Sequence, residues 1–499
     1  MAASEKSPAR AASDIVDLRT TLEFLAGIPG QLVSTKEPVD PYLELAGVYK
    51  LVGAGTPVAP PTRTGPAMLF ENVKGYNMPV LAGTLASRER VALVLGSTKE
   101  RLAFDLLKAV ENPVPTAPYS GAVAPCQEVV VKPPFDMRKI IPATVSTKKD
   151  GGPFLNLGLL WAQDPETGES DVTIHRMGIQ GPDHMSVSFT PGRHIDAFRA
   201  KAHAMGKPLA LTVNMGLDPA ILLAACFEPP TTPMGFDELT VAGGLRGRPV
   251  ELIDCVTVSA KAIARAEIVL ECEIMPDDFT DEDALTHGGY CMPEFPGYVG
   301  PAQKHNHVIR VRAITHRQNP MFQILVGPGE EHVSLAGIPT EASIFRLIES
   351  SMPGLLKNVY CPSSGGGKYL AVLQIRKRTA YDEGRQRQAA LAAFTSFSEL
   401  KHVIIVDDDV DLYDTNDVLW AMTTRFQGDV STVFVPGVRC HPLDPSSSPE
   451  FNPLLRGVGI ACKTIFDCTA PFAMKERFER AQLMPVDLSR FLPDGWDNV

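Results

Sequence analysis

The chain has 499 residues, of which 44% are hydrophobic and 21% charged, and its formal net charge is -11. This length exceeds what one hydrophobic core usually supports, so we expect several domains in a globular protein. The acidic balance excludes a general nucleic-acid binder, and no apolar run approaches the ~20 residues that span a bilayer. The start lacks a signal-peptide core and the cysteines are dispersed without a CxxC pair, which favours a cytoplasmic protein with reduced thiols.

Helical and strand patterns alternate in the first part of the chain, after a polar lead-in at 1–15. Apolar spacing predicts helices over 17–25, 41–51 and 89–111. Between them QLVSTKE, AMLFENV and PVLAGT have the composition of short strands, and a Pro-rich connector ends the region. We therefore predict a mixed α/β domain over residues 1–125.

Short strands rich in β-branched residues dominate from residue 127 onward. They are EVVVKPP, DVTIHRMGIQ, HMSVSFT, LALTVNM, VELIDCVTVSA, AEIVLECEIM, HVIRVRAITHR and MFQILVG. The main helical run covers 193–205, and Gly/Pro-rich loops lie at 227–237 and 287–301. This pattern predicts a β-barrel or a β-sandwich over residues 126–330.

Helices and strands alternate again from about residue 338. That order favours a second α/β domain with a parallel sheet, over residues 331–499. The last 60 or so residues are rich in Pro and Ser, and we expect an irregular tail that wraps over a neighbouring surface. The overall fold class is thus mixed α/β with a β-rich centre.

The segment 171–194, DVTIHRMGIQGPDHMSVSFTPGRH, concentrates polar residues on a predicted strand and helix start. Strand alternation places Asp171, Thr173 and His175 on one face and Arg176 on the other. The alternative is a β-hairpin followed by a surface helix, with these side chains simply solvated.

The predicted helix start in that segment is suited to an anion. Thr190 is a good N-cap and Pro191 suits the first helical position. Free backbone N–H groups and the helix dipole favour negative charge there, and Arg193 and His194 add side-chain donors or a metal ligand.

Several familiar motifs are absent from the sequence. PSSGGGKY lacks the first glycine and the hydroxyl of a phosphate loop, because Pro362 and Tyr369 stand at those positions. The acidic run at 407–411 lacks the glycine and closing glutamate of a calcium loop. There is no GxGxxG opening a helix, no HExxH and no GxSxG, so dinucleotide, zincin and α/β-hydrolase assignments lose their usual support.

Two acidic loops carry the strongest chemical candidates. Glu294, in YCMPEFPGYVG, stands between two prolines among apolar groups, and desolvation of such a carboxyl raises its pKa, as a general acid requires. An exposed loop glutamate is the alternative. Glu238, with Asp171 and His194, would form an O/N/O set suited to Mn²⁺ or Mg²⁺.

Three further polar residues stand where binding groups tend to occur. His332 ends GPGEEH, which directly follows a strand, Lys368 follows three glycines, and His441 lies between Cys440 and Pro442. For each of them a surface or core position is the alternative.

Long segments of the chain match one family. They are VDPYLELAGVY, GPAMLFENVKGY, DVTIHR, GRHI, NMGLDPAI, PTTP, RPVEL, KAIARAEIV, MPEFPGY, LVGPGEEH, LAGIPTEASI, DEGRQ, LWAMTTR, QGDVS and CKTIFDCT. On these segments, over about residues 16–490, the chain resembles the UbiD family of reversible, non-oxidative decarboxylases. The resemblance is closest to the protocatechuate (3,4-dihydroxybenzoate) decarboxylase branch.

The resemblance implies a three-part fold and a set of cofactors. The central domain would be a split barrel that binds flavin, and the C-terminal α/β domain would mediate homo-oligomerisation and end in an extended tail. The implied cofactor is prenylated FMN, supplied by a flavin prenyltransferase, with Mn²⁺ against its phosphate and K⁺ beside it.

The same resemblance assigns roles to individual residues. Asp171, His194 and Glu238 fall on the metal ligands, although the family usually has asparagine at the first position, so that Asp171 adds a negative charge. The implied cofactor-binding residues are Thr173, Ile174, His175, Arg176, Arg193, His194 and Glu238.

Two residues match the family's catalytic pair, and two family contacts are missing. Arg176 matches the active-site arginine and Glu294 the proton-donating acid. Many members have a second glutamate where this chain has Gly289, and a flavin-phosphate lysine is replaced near Thr395. The residues that would substitute for the missing glutamate are Asp281, Glu282 or Asp283.

His332, Lys368 and His441 match the polar residues that line the substrate pocket of the catechol-acid branch. The implied reaction converts 3,4-dihydroxybenzoate into catechol and CO₂. Gallate or a related phenolic acid is the alternative substrate, and an FMN-dependent oxidoreductase is a more distant alternative function. A metal-dependent hydrolase and a non-catalytic binding protein complete the alternatives.

Overall fold

The structure, a computed structural model, describes residues 11–55, 62–189, 193–487 and 490–491. The N-terminal region follows the predicted order of helices and strands. Its elements are α1 Leu18–Ala26, β1 Leu32–Thr35, α2 Glu44–Gly53, β2 Ala67–Phe70, β3 Val80–Ala82, α3 Arg88–Leu95 and α4 Leu102–Glu111. Strands β1 to β3 form a mixed sheet that a later strand, Phe322–Ile324, extends by pairing in parallel with β3.

The central region contains the elements that position the site. They are β4 Ala117–Pro118, β5 Val129–Val131, β6 Phe154–Gln163, β7 Ser170–Ile179, β8 His184–Val187, α5 His194–Ala204, β9 Leu209–Met215, α6 Pro219–Ala224, α7 Leu239–Arg246, β10 Glu251–Asp254, β11 Lys261–Ile263, β12 Ile268–Thr280, β13 Tyr290–Pro293, β14 Val299–Pro301, β15 Asn306–His316 and β16 Phe322–Ile324.

Six of these strands close into a barrel. The hydrogen-bonded order is β12-β9-β6-β7-β8-β15, and β15 pairs back with β12. This closure selects the barrel over the sandwich that the sequence left open. Closure also removes the unpaired edges that an open sheet of this kind would expose.

The sequence patterns missed β6, α6 and α7. Strand β6 separates two hydrophobic cores, with Leu160 in one and Leu159 and Trp161 in the other. Because both faces are buried, the strand lacks the polar alternation by which a half-exposed strand is recognised. Helices α6 and α7 are short, whereas the main helix predicted at 193–205 is confirmed as α5.

The C-terminal region is an α/β unit with a five-stranded mixed sheet, where a parallel sheet was predicted. Its elements are α8 Glu330–Ser351, β17 Leu356–Tyr360, β18 Leu370–Ile375, α9 Arg385–Ser396, β19 His402–Asp407, α10 Thr415–Arg425, β20 Thr432–Arg439 and β21 Ile460–Cys468. Strands β18, β19 and β21 are parallel, whereas β17 and β20 pair antiparallel at the edges.

Part of the predicted irregular tail is a strand inside this sheet. β21 lies between β19 and β20, and its Ile465 and Cys468 are buried. Its alternation is weakened by two buried charged residues: Lys463 donates to the backbone oxygen of Ser398, and Asp467 pairs with Arg387. Among the described residues, no helix has both the length and the apolar character needed to cross a lipid bilayer.

Candidate active site

Three polar side chains from separate elements meet beside the barrel. Strand β7 supplies Asp171, the first turn of α5 supplies His194, and Glu238 precedes α7. One ligand atom from each residue lies within 4.8 Å of the others, and Asp171 Oδ1 is 2.8 Å from His194 Nδ1. The predicted N-cap residues at 190–192 lie outside the described residues, and α5 begins directly after Arg193.

The electrostatics of this cluster favour a bound cation. Asp171 and Glu238 are both buried, and Glu238 Oε2 has no hydrogen-bond partner among the described residues. Burial, and then the charge of Asp171, raise the pKa of Glu238 well above its ordinary value. A divalent cation would offset this repulsion, and a cavity of about 30 Å³ between the three residues is large enough for one ion. The donor set therefore fits Mn²⁺.

A second, larger cavity of about 750 Å³ adjoins the first, a size typical of sites for small molecules and cofactors. It lies between β7, α8 and the loop after β20. Both cavities are lined by Thr173, His175, Arg193 and Phe227. Asp171 and Val172 line only the small cavity, whereas Ile174 and Arg176 line only the large one. The strand alternation is seen instead in the two cores, because Met177 and Ile179 pack in one and Val172 and Ile174 in the other.

Arg176 is held between two buried carboxylates on the wall of the large cavity. Its Nε and Nη2 donate to Glu282 at 2.7 and 3.1 Å, and its Nη1 donates to Glu294 at 2.7 Å. Charge-assisted hydrogen bonds of this kind fix the plane of a guanidinium. These contacts use three of the five N–H groups of the guanidinium, so the other two are available to a ligand.

Glu294 occupies the turn between β13 and β14 and is only 7% exposed. Burial raises its pKa, although Arg176 acts in the opposite direction. Of the two predicted settings for this residue, the structure therefore has the desolvated one. A carboxyl group that retains its proton to higher pH than usual is suited to act as a general acid.

The structure selects Glu282 among the three acids that stood as substitutes for the missing glutamate. Asp281 and Asp283 instead pair with Lys304, at 3.3 and 2.5 Å. Glu282 lies in the loop that follows β12, further upstream than Gly289. No spacing rule applies to that loop, so only the tertiary structure identifies the residue.

His332, Lys368 and His441 all line the large cavity. Burial lowers the pKa of His332 to about 3 and that of His441 to about 4, so both rings are neutral at pH 7. The ring of Phe295 lies 5.7 Å from that of His332 and 4.8 Å from that of His441, edge to face. The three polar residues thus approach one another around an apolar ring.

Other residues of the site were assigned differently or missed by the sequence patterns. His175 is neutral, because burial lowers its pKa to about 4, and it packs edge to face on Phe189. Thr395 is exposed on α9 and donates to the backbone oxygen of Leu391. Glu228 pairs with Arg193 at 2.9 Å, and nothing in its sequence context indicated this contact.

Domain models of 3-octaprenyl-4-hydroxybenzoate carboxy-lyase, the UbiD family, match most of the chain. The N-terminal domain matches residues 28–110, the Rift-related domain 119–330 and the C-terminal domain 333–468. The chain is also 48% identical over 483 residues to gallate decarboxylase of Lactiplantibacillus plantarum, and the aligned region covers 95% of this chain and 99% of that relative.

Two solved enzymes have closely similar structures. The apo 3,4-dihydroxybenzoic acid decarboxylase (AroY) of Klebsiella pneumoniae has a TM-score of 0.92 and 54% identity, over 97% of this chain and 100% of that one. The UbiD-class enzyme HmfF of Pelotomaculum thermopropionicum, in complex with FMN, has a TM-score of 0.85 and 35% identity, over 96% and 100%. An evolved dimeric form of HmfF, with prFMN, has a TM-score of 0.81 and 32% identity, over 95% and 100%.

Proposed function

The chain belongs to the UbiD family of carboxy-lyases, and from that premise we propose that it converts 3,4-dihydroxybenzoate into catechol and CO₂. The proposed cofactors are prenylated FMN, Mn²⁺ and K⁺, and the reaction is non-oxidative and reversible. The observation that carries the proposal is half-buried Arg176, held between Glu282 and Glu294 on a cavity that His332, Lys368 and His441 also line.

The residues of the small cavity are proposed to hold the cofactor's phosphate end through a metal ion. Asp171, His194 and Glu238 would bind Mn²⁺, and Arg193 and Thr173 line both this cavity and the larger one. When bound, prenylated FMN supplies an electrophile that accepts the electron pair released as CO₂ leaves.

The protein's own groups orient the acid and deliver a proton. Arg176 is charged and fixed in plane, so its remaining N–H groups orient the substrate carboxylate. His332, Lys368 and His441 bind the ring oxygens. After CO₂ departs, the carboxyl proton of Glu294 moves to the ring carbon that carried the carboxylate.

The proposal is tested by producing the protein together with a flavin prenyltransferase and measuring CO₂ release. We expect bound flavin with the mass of prenylated FMN, Mn and K by metal analysis, and catechol formed from 3,4-dihydroxybenzoate. A protein that binds no flavin, or releases no CO₂ from any hydroxybenzoate, contradicts the proposal. Consumption of a hydride donor would indicate an FMN-dependent oxidoreductase instead.

Gallate is the second candidate substrate, supported by the relative from Lactiplantibacillus plantarum. Gallate has one more ring hydroxyl than 3,4-dihydroxybenzoate, and His332, Lys368 and His441 are among the polar side chains that line the cavity. The ratio of kcat/KM for the two acids decides between them. We also propose a homo-oligomer, as the dimeric form of HmfF suggests, to be measured by light scattering.

Replacing Glu282 by Gln tests the arginine network. The bidentate carboxylate contact to Arg176 is lost, so the guanidinium is no longer fixed in plane and we expect kcat/KM to fall about 10- to 100-fold. Flavin content should remain unchanged, because Glu282 does not line the metal cavity.

Asp283→Asn is the matched control for that variant. Asp283 is the adjacent buried acid, but its partner is Lys304 rather than Arg176. The control should retain kcat/KM close to that of the unmodified enzyme. Equal losses in both variants would mean that the loop, and not the contact to Arg176, determines the activity.

A further inference from the structure

Glu399 lies directly behind the polar wall of the large cavity. Its Oε2 is 3.0 Å from Lys368 Nζ and 3.4 Å from His441 Nε2, and its Oε1 is 3.7 Å from Arg193 Nη2. Those three partners line the cavity, whereas Glu399 itself does not. Glu399 therefore contacts side chains that line the cavity, but it is not itself in a position to contact a ligand there.

The hydrogen bonds of His441 determine which of its ring nitrogens carries the proton. Nδ1 accepts the backbone N–H of Leu443 at 3.0 Å, so the single proton of the neutral ring lies on Nε2. At 3.4 Å, the contact from Nε2 to Glu399 is longer than a usual hydrogen bond. His441 thus retains a donor for a ligand oxygen and has its acceptor atom occupied.

Lys368 is also a donor, and carboxylates maintain its charge. Burial lowers its pKa, but the nearby Glu399 and then Glu228 more than offset burial, so the pKa is raised overall. One N–H of the ammonium donates to Glu399. The other N–H groups remain for a ligand, and an ammonium has no acceptor atom.

We propose that Glu399 is a positioning residue that holds Lys368 as a charged hydrogen-bond donor beside the donor of His441, so that this wall of the cavity selects aromatic acids whose ring carries an oxygen acceptor. The inference rests on the proposed function, because it concerns the phenolic oxygens of the same substrate. An oxygen held between Lys368 and His441 carries more negative charge, which favours electron flow into the ring. A ring without that oxygen leaves buried donors unmatched, and such sites discriminate strongly.

The test is Glu399→Gln, which preserves shape and removes the charge. We expect catechol to bind about 10- to 100-fold more weakly, the effect of losing a hydrogen bond to a charged group. Binding is measured by isothermal calorimetry on the flavin-loaded enzyme without bicarbonate, so that no carboxylation occurs. Flavin and Mn content should be unchanged, because Glu399 does not line the metal cavity.

Two variants separate positioning from folding. Glu399→Asp keeps the charge with a shorter reach and should recover part of the lost affinity. Glu383→Gln is the control, because Glu383 also pairs with a buried lysine, Lys377, at 3.2 Å, but lies before the opposite end of α9 and does not line the cavity. It should leave catechol binding unchanged.

The inference is overturned if Glu399→Gln binds catechol as tightly as the unmodified enzyme. Equal weakening in Glu383→Gln, loss of flavin in Glu399→Gln, or identical behaviour of Glu399→Gln and Glu399→Asp would overturn it as well. An unmodified enzyme that lacks flavin or decarboxylase activity contradicts the proposed function instead. Failure of the inference is therefore seen in the variants, whereas failure of the proposed function is seen in the unmodified enzyme.

Discussion

The Glu294→Gln variant is expected to lose about 10²- to 10⁴-fold in kcat, the usual contribution of a general acid. An amide still accepts the hydrogen bond that Arg176 Nη1 donates, so the guanidinium remains in place. The amide has no carboxyl proton to deliver to the ring carbon. Flavin and Mn content should be normal, and turnover of 3,4-dihydroxybenzoate followed by catechol release measures the loss.

The pH dependence provides the control for this variant. Burial raises the pKa of Glu294, so the carboxyl is protonated to higher pH than an ordinary glutamate, and the protonated form is the proton donor. Activity should therefore fall as pH rises through that raised pKa. The residual activity of Glu294→Gln should lack this alkaline decline. Near-normal turnover in the variant would exclude Glu294 as the acid.

The Asp171→Ala variant is expected to purify without Mn and without flavin. The substitution removes one oxygen ligand from the proposed three-residue metal site. Changes to residues that only contact the ligands already weaken metal binding by about 10- to 100-fold, so the loss of a ligand should weaken it at least as much. Metal analysis and the flavin absorbance of the purified protein measure the effect. His194→Ala should behave in the same way, because it removes the nitrogen ligand.

Asp171→Asn is the matched control for the metal site. The amide oxygen remains a ligand, and one negative charge disappears from a cluster in which Asp171 already raises the pKa of Glu238. This variant should therefore retain metal and flavin. If Asp171→Ala or His194→Ala purified with full Mn and flavin, the metal ion must be bound elsewhere.

The N-terminal elements were predictable because their signals are local. In α1, Leu18, Leu22 and Leu25 are buried at helical spacing, and the side chain of Asp17 accepts the N–H of Thr20 at 2.9 Å. The barrel strands whose apolar residues alternate with polar ones, such as β7 and β15, were also predicted. Strand β6 was missed because its two faces enter different cores, so burial there depends on partners distant in sequence.

The site was predictable to a different extent. Residue chemistry suggested Asp171, His194 and Glu238 as a ligand set and the family resemblance supported it, but their meeting within 4.8 Å depends on closure of the barrel and the placement of α5 and α7. Local pattern did correctly separate Asp171 from Arg176, because alternation along one strand is a property of the backbone alone.

Residue patterns and matching segments were enough to predict the family, the order of most helices and strands, and the two faces of β7. Only the three-dimensional structure shows that Glu282 pairs with Arg176 and that Glu399 lies against Lys368 and His441. The physical reason is that these contacts join loops and strands whose approach is set by packing. Neither residue type nor spacing along the chain specifies which carboxylate will then lie against which cation.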